Sequence, residues 1–351
     1  MLDRHTPKRR LRKNFHKRPI RRIDSVSEPI QSRHNDLHEQ STWLFGGHAQ
    51  TIYPFIFLRG NKLAYERQTI ATPDDDFLHI DWINRHRNGP LVVLLHGLEG
   101  NSQSHYARSM MTAVRDQGWS GCVINFRGCS GSPNRLPRAY HSGDSGELEW
   151  IFNSSTEFLR KNLFIVGYSL GGNVLLHWMG QQKYTAHEQL SGACAISTPY
   201  DLVKTGERLS SGIHRIYGSH FLRSLKRKAI QKIINHGLEI KIDQINHCKT
   251  LKDFDDTFTA PVHGFSDVYD YWHRASSKPF IPNIKVKTLL IQAQNDPFLP
   301  DYDPESITRK NSAIELKNNQ TGGHVGFVGG HFPGNVQWIP RQVINHFKQL
   351  L

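Results

Sequence analysis

Short apolar runs alternate with segments of helical spacing through the middle of the chain. The strongest run, Pro90-Leu-Val-Val-Leu-Leu95, predicts a central strand that is buried on both faces. The alternation predicts a mostly parallel, doubly wound α/β sheet with its functional site at the carboxyl ends of the strands. The other elements predicted here are a helix over 106–117, a strand over 120–126, a helix over 147–159, a strand over 163–168, a helix over 170–181 and a strand over 192–197.

The regular spacing breaks between residues 198 and 283, where a single helix would normally join two core strands. This insertion is helical and basic in character, and we expect it to form a helical lid over the carboxyl edge of the sheet. Elements predicted outside it are strands over 62–70, 77–83, 286–293 and 313–317, and a last helix over 336–351.

A glycine-rich turn joins the strand at 163–168 to the helix that follows it. Gly167-Tyr-Ser-Leu-Gly171 has the G-x-S-x-G pattern, and strand-turn-helix is the context in which this pattern forms a nucleophile elbow. The turn is strained, so its flanking positions must be nearly without side chains, and the two glycines meet that need. Ser169 is therefore the candidate nucleophile. The alternative is a strand-to-helix turn that merely contains a serine.

An elbow serine needs a base, and the base needs a carboxylate to orient it. In this type of site the partners follow in the order Ser, Asp or Glu, His, each in a loop after a late strand. Asp296 lies in the loop that leaves the strand at 286–293, and His324 lies in a glycine-rich loop after the strand at 313–317. We therefore expect Ser169, Asp296 and His324 to form a triad.

The same type of site needs backbone N–H groups that receive negative charge on an oxygen. The residue after the nucleophile, Leu170, supplies one, and Leu98 in His96-Gly-Leu-Glu-Gly100 is the candidate for the other. We interpret His96 as a histidine that orders this loop by hydrogen bonding without touching the reacting atoms.

Several stretches beyond the elbow carry a family resemblance that runs from about residue 42 to the end of the chain. They are His48-Ala-Gln-Thr-Ile52, His96-Gly-Leu-Glu-Gly100, Asn125-Phe-Arg-Gly-Cys-Ser-Gly131, Phe254-Asp-Asp256, Ala260-Pro-Val-His-Gly-Phe265, Asp270-Tyr-Trp272, Ala275-Ser276 and Asn295-Asp-Pro-Phe298. With these motifs the chain resembles the α/β-hydrolase fold and, within it, the YheT-type esterase family (AB hydrolase 4 group). The resemblance implies a triad on Ser169, Asp296 and His324. The chain departs from the family at Gly46-Gly47, where an Asn-Pro-like pair usually opens the entry motif.

The expected function is hydrolysis of carboxylic esters with short- to medium-chain or lipid-like acyl groups, through an acyl-enzyme and without metal or organic cofactor. Two alternatives stay open: an acyltransferase with the same triad, and a non-catalytic binding protein on the same fold. Aromatic and aliphatic residues of the insertion are candidates for an acyl pocket, or else pack the lid onto the body: Tyr217, Phe221, Leu222, Tyr269 and Trp272.

The net charge of +13 is concentrated at the amino terminus. Residues 1–22 hold ten Lys or Arg against a single acid, Asp3, which leaves about +4 for the remainder. We expect residues 1–34 to form a solvated, disordered tail and 35–351 to form the hydrolase domain with its lid at 198–283. The tail either adheres weakly to anionic membrane or has no dedicated partner, and we expect no dedicated nucleic-acid binding because Phe15 is its only aromatic residue.

Other sequence features refine the prediction of class and compartment. No run of 18 apolar residues and no secretory signal is present, and the four cysteines show no C-x-x-C spacing. We therefore expect free, buried or half-buried thiols and a cytoplasmic protein, with a peripheral position at the inner membrane face as the alternative. The four cysteines are Cys122, Cys129, Cys194 and Cys248.

Three further groups of polar residues were weighed as sites. His141, Asp144, Glu147 and Glu149 match no metal motif and are expected to form a helix cap or a solvated face. Arg127 is expected to anchor its loop through backbone carbonyls rather than steer an anionic substrate. Asp201 and Asp255 are alternatives to Asp296 as the acid, but neither directly follows a late strand.

Overall fold

An eight-stranded sheet forms the centre of the part of the chain that the computed structural model describes, namely residues 41–58, 60, 62–181, 183–299, 303–309 and 311–351. The strand order is β1-β2-β4-β3-β5-β6-β7-β8; β2 is antiparallel to both of its neighbours, β1 and β4, and all other neighbouring pairs are parallel. The strands are β1 Glu66–Ala71, β2 Phe77–Ile83, β3 Leu91–Leu95, β4 Ser120–Asn125, β5 Leu163–Tyr168, β6 Gly192–Ile196, β7 Thr288–Ala293 and β8 Ile314–Asn319.

Helices pack on both faces of this sheet, which confirms the predicted doubly wound α/β fold. Helices of the body are α1 Gly47–Phe57, α2 His105–Asp116, α3 Ser145–Ser154, α4 Leu170–Gly180, α11 Pro304–Thr308 and α12 Trp338–Lys348. Helices between β6 and β7 are α5 Leu202–Leu209, α6 Arg215–His236, α7 Ile242–His247, α8 Leu251–Phe254, α9 Ala260–Val262 and α10 Val268–Ala275. We call residues 202–275 the cap.

The central strand β3 explains why the sheet is stable enough to carry strained loops at its carboxyl edge. All five of its side chains are buried, as its apolar run predicts. Leu91, Val93 and Leu95 enter the core on one face, whereas Val92 and Leu94 enter the core on the other. Each fully buried side chain of this size contributes about 2 kcal/mol.

The pairing register brings two loops of the predicted site together. Leu95 of β3 pairs with Gly167 of β5 on one side and with Ile124 of β4 on the other. Because these three strands are parallel, the segments that begin at His96 and Ser169 leave the same edge of the sheet side by side.

The cap has small hydrophobic clusters of its own. Leu222, Ile245, Phe254 and Phe258 belong to one of them, and a second is built around Trp272. Between α8 and α9 the chain makes a π-helical turn, Asp255–Thr259.

Two sequence-based expectations about Arg127 and its neighbours are wrong. Arg127 bonds carboxylates rather than backbone carbonyls: Nε donates to Glu147 at 2.6 Å, and Nη1 donates to Asp76 at 2.9 Å and to Asp74 at 3.0 Å. Glu147 is therefore a buried partner in an ion cluster and not part of a solvated face. The signal was missed because Asp74 and Asp76 lie more than fifty positions away in sequence.

The predicted elements agree with the structure to within a few residues, with the largest shifts at α3, which ends at Ser154 rather than 159, and at β1, which begins at Glu66 rather than 62. All four cysteines are free and buried, as expected. The predicted tail at 1–34 lies outside the described residues. Within the described part of the chain, no helix combines the length and apolar character needed to cross a membrane.

Candidate active site

Ser169 occupies a strained turn between β5 and α4. Its backbone has φ = +51° and ψ = −117°, a region that residues with a side chain rarely adopt. The strain is maintained because both flanking elements are buried along their whole length. The turn projects the Ser169 side chain beyond the carboxyl end of the sheet.

The glycines of the elbow are required by close backbone approach. A Cβ atom on Gly167 would lie 2.6 Å from the carbonyl oxygen of Gly171. A Cβ on Gly171 would lie 2.5 Å from the carbonyl oxygen of Leu95, and one on Gly172 would lie 2.1 Å from Thr198 Oγ1. The sequence pattern therefore reflects packing of the helix N-terminus against the neighbouring strands.

A continuous chain of hydrogen bonds joins the three predicted triad residues. His324 Nε2 lies 2.8 Å from Ser169 Oγ, and His324 Nδ1 lies 2.9 Å from Asp296 Oδ2 and 3.2 Å from Oδ1. Because a carboxylate only accepts hydrogen bonds, Nδ1 carries the hydrogen and Nε2 is left to accept from the serine hydroxyl. Asp296 and His324 are both buried.

The neighbours of Asp296 and His324 fix the orientation of both side chains. The backbone N–H of Phe298 donates to Asp296 Oδ1 at 2.8 Å. The Phe298 ring stacks on the His324 ring, with 3.9 Å between centroids. The N–H of His324 donates to Thr51 Oγ1 at 2.8 Å.

The entry segment braces the acid loop against the histidine loop, a role that the sequence analysis missed. Gln50 Oε1 accepts from Asn295 Nδ2 and from the Gly322 N–H, both at 3.0 Å. Asn295 Oδ1 in turn accepts from the Gly323 N–H at 3.0 Å. The only available signal was the presence of these residues in the His48 and Asn295 motifs.

The glycine pair Gly46-Gly47 has a structural reason. A Cβ on Gly47 would lie 1.8 Å from the carbonyl oxygen of Asn295, so the first turn of α1 touches the acid loop backbone directly. Gly46 has φ = +80°, which glycine adopts at low cost. The glycine pair thus permits the close approach of α1 to the loop that holds Asp296.

In the loop after β3, tyrosine hydroxyls accept hydrogen bonds from the backbone N–H groups on either side of Leu98. The N–H of Gly97 donates to Tyr106 Oη and the N–H of Glu99 donates to Tyr140 Oη, both at 2.8 Å. Among the described residues, the N–H groups of Leu98 and Leu170 have no protein acceptor. Both residues line the same cavity as Ser169.

His96 orders this loop, as the sequence analysis expected. Its Nδ1 donates to the carbonyl of Gly97 at 2.8 Å, and its Nε2 accepts from the Phe126 N–H at 3.0 Å. Complete burial lowers the pKa of His96 to about 4, so the imidazole is neutral at ordinary pH.

A cavity of about 1080 Å³ lies between body and cap, and Ser169 and His324 form part of its wall. Of the five predicted pocket residues, Tyr217, Phe221 and Trp272 line it. Leu222 and Tyr269 do not line it: Leu222 packs inside the cap, and the Tyr269 hydroxyl contacts Glu207 near the surface.

The alternative acids and the acidic cluster have other partners. Asp201 caps α5 and pairs with Lys278 at 2.9 Å. Asp255 accepts from Trp272 Nε1 at 3.0 Å and from Thr259 Oγ1 at 2.7 Å, and burial raises its pKa to about 6. Across the described ranges, no three His, Cys, Asp or Glu side chains converge as a metal site would require.

Comparison with known proteins agrees with this architecture. The α/β-hydrolase fold family matches residues 90–330. The chain is 33% identical over 305 residues to "Putative esterase YheT" of Escherichia coli (strain K12), covering 84% of this chain and 88% of that protein. It is 24% identical over 323 residues to "Phospholipase ABHD3" of Homo sapiens, covering 89% and 78%. The Pyrococcus furiosus esterase Pf2001 shares the fold, with a TM-score of 0.53 and 18% identity over 83% of this chain and 94% of that one.

The fold and the matched region together define the class: the chain belongs to the α/β-hydrolase fold family. Within that family it belongs to the YheT-type group, as the motifs quoted above predicted.

Proposed function

We propose that this protein is a serine hydrolase that cleaves carboxylic esters, with Ser169 as nucleophile, His324 as base and Asp296 as the orienting acid. The observation that carries the proposal is the hydrogen-bonded chain Ser169–His324–Asp296 in the wall of a large, mostly apolar cavity. The names of the YheT and ABHD3 relatives, an esterase and a phospholipase, support ester cleavage as the reaction.

Proton transfer in the proposed reaction follows the observed hydrogen bonds. His324 Nε2 takes the proton of Ser169 as Oγ attacks the ester carbonyl, and Asp296 stabilises the imidazolium that forms. His324 then gives the proton to the leaving alcohol oxygen, and an acyl group remains on Ser169. Water, deprotonated by the same imidazole, attacks the acyl-enzyme; the bond between Ser169 Oγ and the acyl carbon breaks, the acid leaves, and the imidazolium returns its proton to Oγ.

The N–H groups of Leu98 and Leu170 are the proposed donors to the negative oxygen of the tetrahedral intermediate. Gly97 contributes by allowing close approach, because a Cβ there would lie 3.3 Å from Ser169 Cβ. Each such donor is worth about 3 kcal/mol of transition-state stabilisation. His96 acts on these donors indirectly, through the shape of the loop.

The cavity supports an ester with a substantial apolar group as the substrate. Phe221, Phe258, Trp272 and Phe298 contribute aromatic surface to its wall. A volume of about 1080 Å³ exceeds what a short acetyl group needs and suits a medium-chain or lipid-like ester.

Fluorophosphonate labelling followed by peptide mass spectrometry tests the proposal. We expect the modification on Ser169, and we expect Ser169→Ala to lose both labelling and hydrolysis of p-nitrophenyl esters while its circular dichroism is unchanged. Ser224→Ala, which removes another cavity-lining serine, is the control and should be labelled like the wild type. Labelling retained in Ser169→Ala would overturn the assignment.

A further inference from the structure

Helix α1 exposes large apolar side chains where a surface helix normally exposes polar ones. Ile52, Phe55 and Ile56 are 41–46% exposed, and Phe57 is 67% exposed. Positions 52, 55 and 56 follow the i, i+3, i+4 spacing of a single helix face. The buried side of α1 holds Gln50 and Pro54, so the usual amphipathic arrangement is inverted.

Helix α1 also lacks the charged residues that a surface helix normally carries. Its sequence, GHAQTIYPFIF, contains no Asp, Glu, Lys or Arg. Tyr53 of α1 and Trp43, which precedes the helix, stack edge to face, with 4.9 Å between their ring centroids. Aromatic rings with one polar atom are the residues that favour the boundary between water and lipid.

Helix α6 of the cap lies against α1 and adds positive charge. The rings of Phe55 and His220 are 5.3 Å apart, and His48 Nδ1 lies 2.8 Å from Tyr217 Oη. The sequence of α6 contains six Lys or Arg and no acid. On its exposed side it presents Ile216, Arg223 and Arg227, and the two arginines have no acidic partner within the described residues.

The exposed residues of α1 and α6 lie around the opening of the cavity that contains Ser169. Ile52, Phe55 and Ile56 line the same cavity as Ser169. So do Ile216, Arg223 and Arg227. We call the exposed set the entrance face: Ile52, Phe55, Ile56 and Phe57 of α1, and Ile216, Arg223 and Arg227 of α6.

We propose that the entrance face docks on an anionic lipid surface. The apolar side chains of α1 enter the region between head groups and acyl chains, and the arginines of α6 pair with lipid phosphates. Such docking would let an apolar ester pass from the lipid into the cavity without crossing water. The inference is independent of catalysis, because the binding requires no turnover, and it concerns a surface distinct from the basic segment at residues 1–22.

Flotation of the full-length protein with vesicles tests the proposal. The vesicles are phosphatidylcholine alone or phosphatidylcholine with phosphatidylglycerol. We expect Phe55→Ser/Ile56→Ser to lower the partition coefficient about tenfold even at high salt, where charge attraction is screened. We expect Arg223→Gln/Arg227→Gln to lower binding to the phosphatidylglycerol vesicles at low salt and to leave the neutral vesicles unaffected.

Matched controls lie at the opposite, amino-terminal edge of the sheet. Leu159 is 63% exposed there, so Leu159→Ser removes an apolar side chain that is more exposed than Phe55 or Ile56. Lys161→Gln/Lys285→Gln removes two exposed charges. Both controls should bind like the wild type, and all variants retain residues 1–22, so differences report on the entrance face.

Three outcomes would overturn the inference. The first is equal binding of the Phe55→Ser/Ile56→Ser variant and Leu159→Ser. The second is loss of binding in both. The third is a wild-type dimer that this double variant converts to monomer, which would make the face a contact between two copies of the chain. Circular dichroism checks folding, and if the double variant unfolds, Phe57→Ser, expected to weaken binding severalfold, takes its place.

Discussion

The body and the cap use buried polar groups in different ways. In the body, the polar side chains around Ser169 are held by specific partners: Asp296 by the Phe298 N–H, His324 by Asp296, and His96 by the Phe126 N–H. In the cap, the cavity wall combines aliphatic, aromatic and basic side chains, and the apolar ones pack in small clusters. Under the proposed function, the body would therefore supply the reacting groups and the cap would select which ester reaches them.

Among the described residues, α6 supplies more of the polar contacts between the two regions than any other cap helix, and α10 also contributes. Lys228 Nζ donates to Glu99 Oε1 at 2.8 Å, directly beside Leu98. Lys232 Nζ donates to Asn134 Oδ1 at 2.7 Å and to the carbonyl of Leu136 at 2.6 Å. Through these contacts the cap is tied to the proposed oxyanion loop and to the segment that follows β4.

The largest expected effect tests whether Asp296, and not Asp201, is the acid that orients His324. Asp296→Asn keeps the shape of the side chain but no longer fixes the imidazole with its hydrogen on Nδ1, and we expect kcat to fall about 10⁴-fold. The measurement is hydrolysis of a soluble p-nitrophenyl ester. Asp201→Asn is the control, and it should stay within about threefold of the wild type because Asp201 pairs with Lys278. A comparable loss of kcat in both variants would contradict the assignment of Asp296 as the acid.

The next effect concerns protonation of His96 in the body. Its folded pKa of about 4 lies below the unfolded value, so the unfolded chain binds the proton first. Stability is therefore complete above about pH 6.5 and falls as pH drops toward 4, by about 3 kcal/mol in total. Urea denaturation across this range should show the loss in the wild type.

His96→Gln should flatten that dependence, because glutamine does not titrate. The control is His86→Gln, since the His86 side chain is 84% exposed. An unchanged slope in His96→Gln, or an equal change in His86→Gln, would contradict the assignment.

The cap should respond to pH with the opposite sign. Burial raises the pKa of Asp255 to about 6, despite hydrogen bonds from Thr259 and Trp272 that lower it. The folded state therefore keeps the proton to higher pH than the unfolded state, and stability is lost as pH rises through 6. Because part of the side chain faces the cavity, we expect a loss of about 2 kcal/mol.

Hydrogen exchange resolves this effect by region. Peptides over residues 251–262 should lose protection between pH 5 and 8, after correction for intrinsic exchange, whereas peptides from β3 and β5 should not. Asp255→Asn should remove the change, and Asp243→Asn on α7 should retain it. Equal pH dependence of body and cap peptides would disprove the difference between the regions.

The smallest expected effect lies at the contact between the regions. Lys228→Met leaves Glu99 without its cation beside the proposed oxyanion site, and we expect kcat/KM to fall about tenfold. Lys226→Met is the control, because Lys226 Nζ contacts only the Asn246 carbonyl within the cap. If the two variants behave alike, α6 does not act on the loop through Lys228.

Local patterns were sufficient wherever an element and its loop are contiguous in sequence. Ser169, Asp296 and His324 were each predicted from a strand and the turn that follows it, and the structure brings the three into hydrogen-bond contact. Local patterns could not decide whether Leu222 and Tyr269 line the cavity, because helical spacing does not say which face of a cap helix turns toward it. They failed for Arg127 because its carboxylate partners come from a different part of the chain.

What the sequence determined by itself is the alternation of buried strands and helices, the glycine elbow, and the order of serine, acid and histidine. These follow from short-range sterics and from burial of contiguous apolar residues. Only the tertiary structure decided how Gln50 reaches Asn295, 245 positions away, and how α1 and α6 meet at the mouth of the cavity. Such contacts depend on how the completed sheet places its loops, and no local pattern encodes that placement.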